Sequence, residues 1–401
     1  MNSIFENRLF SPIAESAFSD SNVIDAMLRF EAALARAQAN SGLIAPDAAQ
    51  AIVGTCKIDL FDVPKMVRES AGVDSIAIPF VKSLKETVGL FHAQAAAFVH
   101  FGCSNQDLMD SAMALLTRHA LGLVEADIDR AVTDLLALAT RHASDPVLER
   151  SLLQAPGVTS FGLTCALWAG PLARSRRRLK THAASALSVR WSGATGVLAQ
   201  GKGAQVLALM AADLALSAPA ATSLTQRDEW VALACEVGLL IGSLGNMARD
   251  IALMAQREVA ELSASAGHEI GRLNSSRQEE QIDDCRLAVV AAQRTPQTIA
   301  ALLAALSQEG GRSMGDWQAA LTEWPALLLS AHASANAIAR TLSGLQVNVQ
   351  CMRSNVEAQR NALPPEAGRA YFKPELMLQA AALTQGQVEA LAAPRRITSP
   401  V

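Results

Sequence analysis

The chain has 401 residues, half of them hydrophobic and only 4% aromatic, a composition that fills a large core with small and aliphatic side chains. A formal net charge of −4 and a pI near 6.0 exclude a general binder of nucleic-acid backbone, which needs a clustered surplus of Lys and Arg. The one basic run, RSRRRLK at 174–180, does not reverse that balance and reads as a solvated helix face.

The opening residues, MNSIFENRLF, place an acid and polar groups where a signal peptide carries its cationic start and apolar run. The segment 21–40, SNVIDAMLRFEAALARAQAN, opens on a capping-type residue, is rich in helix formers and stops at the Gly-containing SGLIAP, so it is predicted as a helix. Further helices are predicted at about 85–100, 106–142, 160–187, 200–216, 228–262, 279–307 and 322–343. No alternating β-branched run bounded by turns predicts a strand, and the fold class is all-α. Polar breaks interrupt the helices at 100–110 (HFGCSNQDLMD), 150–162 (RSLLQAPGVTSFG) and 272–285 (RLNSSRQEEQIDDC). Serine, amide and exposed N–H groups of this kind cap helices and also bind carboxylates.

In the segment 228–262, Leu233, Val237, Leu240, Leu244, Met247, Ile251 and Met254 alternate at spacings of four and three. This is a heptad seam, and it predicts a long helix packed at a shallow angle, with Gly238, Gly242 and Gly245 allowing close approach. The most apolar part, 231–248, contains Glu236 and Asn246 and runs into Arg249 and Asp250, an interrupted pattern for a bilayer span. Six cysteines, at 56, 103, 165, 235, 285 and 351, lie far apart without a C-x-x-C pair or a zinc-type spacing. The expectation is a soluble, cytoplasmic protein that binds neither membrane nor metal.

The three polar breaks, with MLRFEAALARAQANSGLI (27–44), TQRD (225–228), GSLGNMARDIALMAQREVAEL and SQEGGRSMGDW, resemble in order and approximate spacing the fumarase/aspartase superfamily. The branch most similar is that of the 3-carboxy-cis,cis-muconate cycloisomerases, and the resemblance covers roughly residues 20 to 355. It implies an all-α homotetramer whose central helices form a bundle, with active sites shared between subunits, no cofactor, and a small-molecule carboxylate substrate. The implied domains are 1–105, a helical N-terminal unit, 106–355, a central bundle, and 356–401, a short tail in place of the usual small helical domain.

Carried over residue by residue, the resemblance makes Ser275 the base that moves a proton next to a carboxylate, and Ser276 and Arg277 its neighbours in the loop. His100, Ser104, Asn105, Gln106 and Asp107 correspond to the first signature region, and Gln154 to the second. Gln226 and Arg227 match a polar pair, and Glu309 and Arg312 match the family's Gln-Glu-x-x-Arg segment.

The chain also departs from that pattern. Where the family's third loop carries a carboxylate-binding Lys this chain has Gln281, its Asn is Asp283, and its Met-Pro pair is Gln278-Glu279. Histidines usual in the branch are replaced by Ala155, Leu224 and Gln318. From Arg272 to Asp284 the local charge is −2, which disfavours a tricarboxylate if the acids face the site and instead favours a helix N-terminus if they open one. Three readings follow: a cycloisomerase with a rebuilt anion site, a C–N or C–O lyase of the same superfamily acting on another substrate, amine-bearing ones included, and a non-catalytic scaffold.

Overall fold

Ser19 accepts the Asn22 N–H at 3.3 Å and so starts the first long helix. In this computed structural model the described residues are 12–152, 154–193, 201–219, 225–264, 273–310, 313–366 and 372–392, with only the backbone described at 264 and 273–280. The N-terminal helices are α1 (Pro12–Ala17), α2 (Asp20–Asn40), α3 (Pro46–Thr55), α4 (Val63–Ser70) and α5 (Ala77–Phe91). α5 begins and ends earlier than the predicted 85–100. Pro79 sits in its first turn, where a missing N–H costs no helical bond, and the chain leaves the helix at His92.

The remaining helices are α6 (Asn105–Arg141), α7 (Phe161–Ala186), α8 (Gly203–Leu214), α9 (Asp228–Met254), α10 (Leu273–Ala304), α11 (Asp316–Ser343) and α12 (Val349–Ala362), followed by a C-terminal helix, Pro374–Ala392. Two short antiparallel pairs join them: β1 (Pro146–Ser151) with β2 (Gln154–Ser160), and β3 (Leu262–Ala264) with β4 (Leu345–Val347). The first pair is a hairpin where the sequence predicted a loop. The stretch 272–285 likewise proves helical backbone from Leu273 onward.

Contacts between α6, α7, α9, α10 and α11 build a five-helix bundle. Its directions follow from pairs that advance together. Trp317 Nε1 donates to Asp110 at 2.9 Å, Trp324 Nε1 to Thr117 at 2.7 Å, and His332 lies 3.6 Å from Asp127, so α11 runs parallel to α6. Trp168 donates to Asp250 and Arg178 to Glu236, so α7 runs antiparallel to α9. A Cβ on Gly245 would lie 2.4 Å from Ala292 Cβ, and one on Gly238 would lie 3.2 Å from Ile299, which makes α10 antiparallel to α9 as well.

The seven seam residues of α9 are buried within the chain, none more than 8% exposed. Each apolar side chain so buried contributes about 1.5–3 kcal/mol. By length and composition α9 would also cross a membrane, but its seam is taken up by the bundle core. Of the three seam glycines, Gly238 and Gly245 are close-packed, whereas Gly242 faces open space. A second apolar core gathers α2–α5, α8 and Trp191, and the first turns of α6 belong to it through Leu108, Ala112 and Leu115. α6 is therefore shared by both cores, as is α11, which gives Trp317 to the second core and Trp324 and Leu327 to the first.

Candidate active site

The first turn of α6 is fastened from two sides. Ser104 caps it, its Oγ accepting the Asp107 N–H at 3.1 Å, while Asp107 Oδ2 accepts the Ser104 N–H at 2.9 Å. Asp107 is fully buried and also accepts the backbone N–H and hydroxyl of Ser192 and the N–H of Gly193, at 3.0–3.2 Å. These bonds tie the segment after α7 to the start of α6. Asn105 and Gln106 follow the cap, and Gln106 is buried.

His100 stands just before this cap with a positive φ of 61°. Its Nδ1 is 2.6 Å from Oε1 of the buried Glu31, and its backbone N–H donates to Glu31 Oε2 at 3.1 Å. The same carboxylate acts on two cysteine thiols. Burial first, and Glu31 second, pushes Cys56 up to about 12, and burial, Glu31 and Asp107 push Cys103 well up, so neither is a ready nucleophile.

One turn further along α6, Asp110 is 3% exposed and accepts from Arg227 Nη2 at 2.8 Å and from Trp317 Nε1 at 2.9 Å. Arg190 Nε lies 3.9 Å away. Burial pulls the Arg190 guanidinium below its usual range, opposed by Asp110 and reinforced by the positive charge of Arg227. Asp110 and Arg227 close the polar end of a cavity of about 50 Å³ whose walls include Trp230, Trp317, Trp324 and Leu302. Thr225 Oγ1 donates to the Gly310 carbonyl at 3.3 Å, and exposed Glu309 accepts the Met314 N–H at 3.0 Å. Residues 100–107, Gln226–Arg227 and Glu309 are thus gathered around the first turns of α6.

The other sequence-predicted residues lie elsewhere. Gln154 is exposed at the start of β2, in the hairpin that follows the far end of α6; the 37 residues of that helix span about 55 Å. Ser275, Ser276 and Arg277 fall in the first turns of α10, with their side chains outside the described residues, as Arg312, Arg272 and Leu224 are altogether. Ser275 stands about 40 Å along α10 from Leu302, which lines the cavity beside Asp110. Gln281 is 7% exposed, and neither atom of its amide has a partner among the described residues. Asp283 pairs with Arg286 at 2.9 Å, and Asp284 pairs with Arg340 on α11. Two of the four carboxylates are therefore spent on ion pairs rather than on a ligand.

Sequence reasoning missed Glu31, Asp110, Arg190 and Trp317. One signal was available: Glu31 shares the helical stripe of Met27, Leu34 and Gln38, so a charge occupies a buried face. Among the described residues no group of three or more His, Cys, Asp or Glu side chains is arranged to hold a metal.

Residues 8–270 match a family model described as lyase. The chain is 35% identical over 361 residues to a 3-carboxy-cis,cis-muconate cycloisomerase of Bradyrhizobium diazoefficiens, covering 90% of this chain and 80% of that protein. It is 31% identical over 393 residues to a nitrosuccinate lyase of Streptomyces davaonensis, covering 93% and 82%. Among solved structures, the 3-carboxy-cis,cis-muconate lactonizing enzyme of Pseudomonas putida superposes with a TM-score of 0.85 at 28% identity, covering 97% of this chain and 99% of that one. The chain therefore belongs to the lyase family of the fumarase/aspartase superfamily, enzymes that act on carboxylate substrates and are generally oligomeric.

Proposed function

We propose that this enzyme is a cytoplasmic cycloisomerase that closes 3-carboxy-cis,cis-muconate into a lactone, working as a homotetramer with shared active sites. The observation that carries the reading is the 35% identity to the Bradyrhizobium cycloisomerase over nine-tenths of the chain. In the reaction a substrate carboxylate oxygen forms a C–O bond to one carbon of a C=C bond. The displaced electron pair moves to the neighbouring carbon, beside a second carboxylate, as an enediolate-like charge. The Ser275 hydroxyl then delivers a proton to that carbon, as the conjugate acid of the base that removes it in the reverse direction, and the amide and hydroxyl groups around the first turn of α6 hold the developing charge.

Sharing of the site is supported by lengths alone. Gln154 and Ser275 lie roughly 40–55 Å from the start of α6 along their own chain, so one site can use all three regions only by drawing them from different chains. Assembly through α7 and α9 is supported by Leu167, 58% exposed, and Leu239, 55% exposed, beside Gly242 and Asn246. The direct test is spectrophotometric: purified protein should consume 3-carboxymuconate with loss of the conjugated-alkene absorbance. Binding without turnover would reject the assigned reaction.

A second reading, a C–N or C–O lyase, is favoured by Gln281. A buried amide with both of its polar atoms unpartnered stands where the cycloisomerases carry a cation. An amide offers one donor and one acceptor side, which suits a less anionic substrate than a tricarboxylate.

A further inference from the structure

Glu31 lies on the buried face of α2, 1% exposed. Its two oxygens hold one residue at two points, the ring through Nδ1 at 2.6 Å and the main chain through N–H at 3.1 Å. That residue, His100, has its backbone in the left-handed region, which the Glu31 bond to its N–H helps to maintain. With Glu31 Oε1 as the acceptor, the 2.6 Å contact places the ring proton on Nδ1. Nε2 is then the free nitrogen. It is buried, in a side chain 9% exposed, and has no hydrogen-bond partner among the described residues. An unpartnered buried ring nitrogen is costly in an empty protein and is relieved when a ligand meets it. The neighbouring start of α6 favours an anion there through its dipole.

We infer that Glu31 is a positioning residue: it fixes His100 in the Nδ1–H tautomer, so that Nε2 takes a proton from solvent when substrate binds and donates it to a substrate carboxylate. The inference rests on the proposed reading of residues 100–106 as a carboxylate site. Glu31, from behind the ring, stabilises the imidazolium that this creates.

Selective nitrogen-15 labelling of histidine in the full-length protein tests it, with the His100 signals assigned by their loss in His100→Asn. In the parent, Nδ1 should be protonated and Nε2 bare. Tricarballylate, a saturated tricarboxylate that cannot lactonise, should convert Nε2 to the protonated form. In Glu31→Gln the amide oxygen keeps the backbone N–H while the amide nitrogen donates to Nδ1. The ring proton should then move to Nε2, and tricarballylate affinity should fall at least about tenfold. An unchanged tautomer in Glu31→Gln, or a His100 Nε2 signal in the parent that does not respond to tricarballylate, overturns the inference. The parent measurements need no variant and so survive a Glu31→Gln protein that fails to fold. None of the readouts uses turnover. Protonation of His100 by tricarballylate in a protein that lactonises nothing would reject the assigned reaction while supporting the Glu31–His100 pair.

Discussion

Asp110 and Arg227 form a 2.8 Å ion pair with both side chains under 10% exposed, joining the first turns of α6 to the first residue before α9. Breaking a buried pair from one side leaves the other charge uncompensated, at a cost of about 3–5 kcal/mol. Asp110→Ala should therefore destabilise by roughly that amount, and it also deprives Trp317 of its acceptor. Thermal unfolding measures this. A loss below about 1 kcal/mol would mean that the pair is not buried in solution as it is here.

Two glycines one turn apart on α9 should respond in opposite ways. Gly245→Ala places a methyl group 2.4 Å from Ala292 Cβ, on a neighbour with no flexible end to move aside. The overpacking cost of about 1–3 kcal/mol should exceed the helix-propensity gain of about 1 kcal/mol. Gly242 faces open space within the chain, so Gly242→Leu should leave helix content intact but split the assembly. Sedimentation of the two variants separates these effects, and a Gly242→Leu protein that assembles as the parent does would remove this face from the interface.

The ion pairs of the bundle also set a pH dependence. Burial lowers the His332 pKa from its ordinary 6.5, outweighing the pull of Asp127, with Arg130 and Arg340 lowering it further. Because the folded state binds the proton less readily than the unfolded chain, stability should fall as pH drops below about 6.5 and through the lower folded value. His332→Gln should flatten that part of the profile. Melting temperatures between pH 7.5 and 5 would show it, and an unchanged slope in the variant would assign the acid sensitivity to other groups.

Gln281→Lys tests which substrate class the site prefers. Restoring a cation where the amide is buried should strengthen tricarboxylate binding by about 1 kcal/mol or more and weaken binding of any amine-bearing substrate. Calorimetric titration with tricarballylate and with aspartate reads both signs. If neither affinity changes, Gln281 does not line the site.

Much of the helical frame was legible because its starts are chemically marked. Ser19, Ser104 and Ser160 each cap a helix whose bounds the sequence placed within a residue or two. The hairpin was not legible, since Pro156 and Gly157 interrupt any strand pattern and its pairing forms only against the segment 146–151. The stretch 272–285 looked like a loop through its polarity alone. In the structure Asp283 and Asp284 find cations on α10 and α11, and none of the four carboxylates falls in the first turn of α10, so ion pairing rather than the helix dipole accommodates these two. Of the site, the residues around the first turn of α6 could be named from their motif, but Glu31 and Asp110 act through partners 69 and 117 positions away. Separations of that size leave no local pattern to read.

The central claim is that one working site combines the α6 start of one chain with the α10 start of another. Ser275→Ala alone should reduce 3-carboxymuconate turnover at least about a hundredfold, and Gln106→Ala should reduce it severely, with the fold of both retained. The decisive measurement is the activity of a co-assembled mixture of these two inactive variants. Recovery of a substantial fraction of parent turnover, in mixed assemblies verified by tagged co-purification, is the expected result. Mixed assemblies that remain as inactive as either variant alone would contradict a site shared between chains.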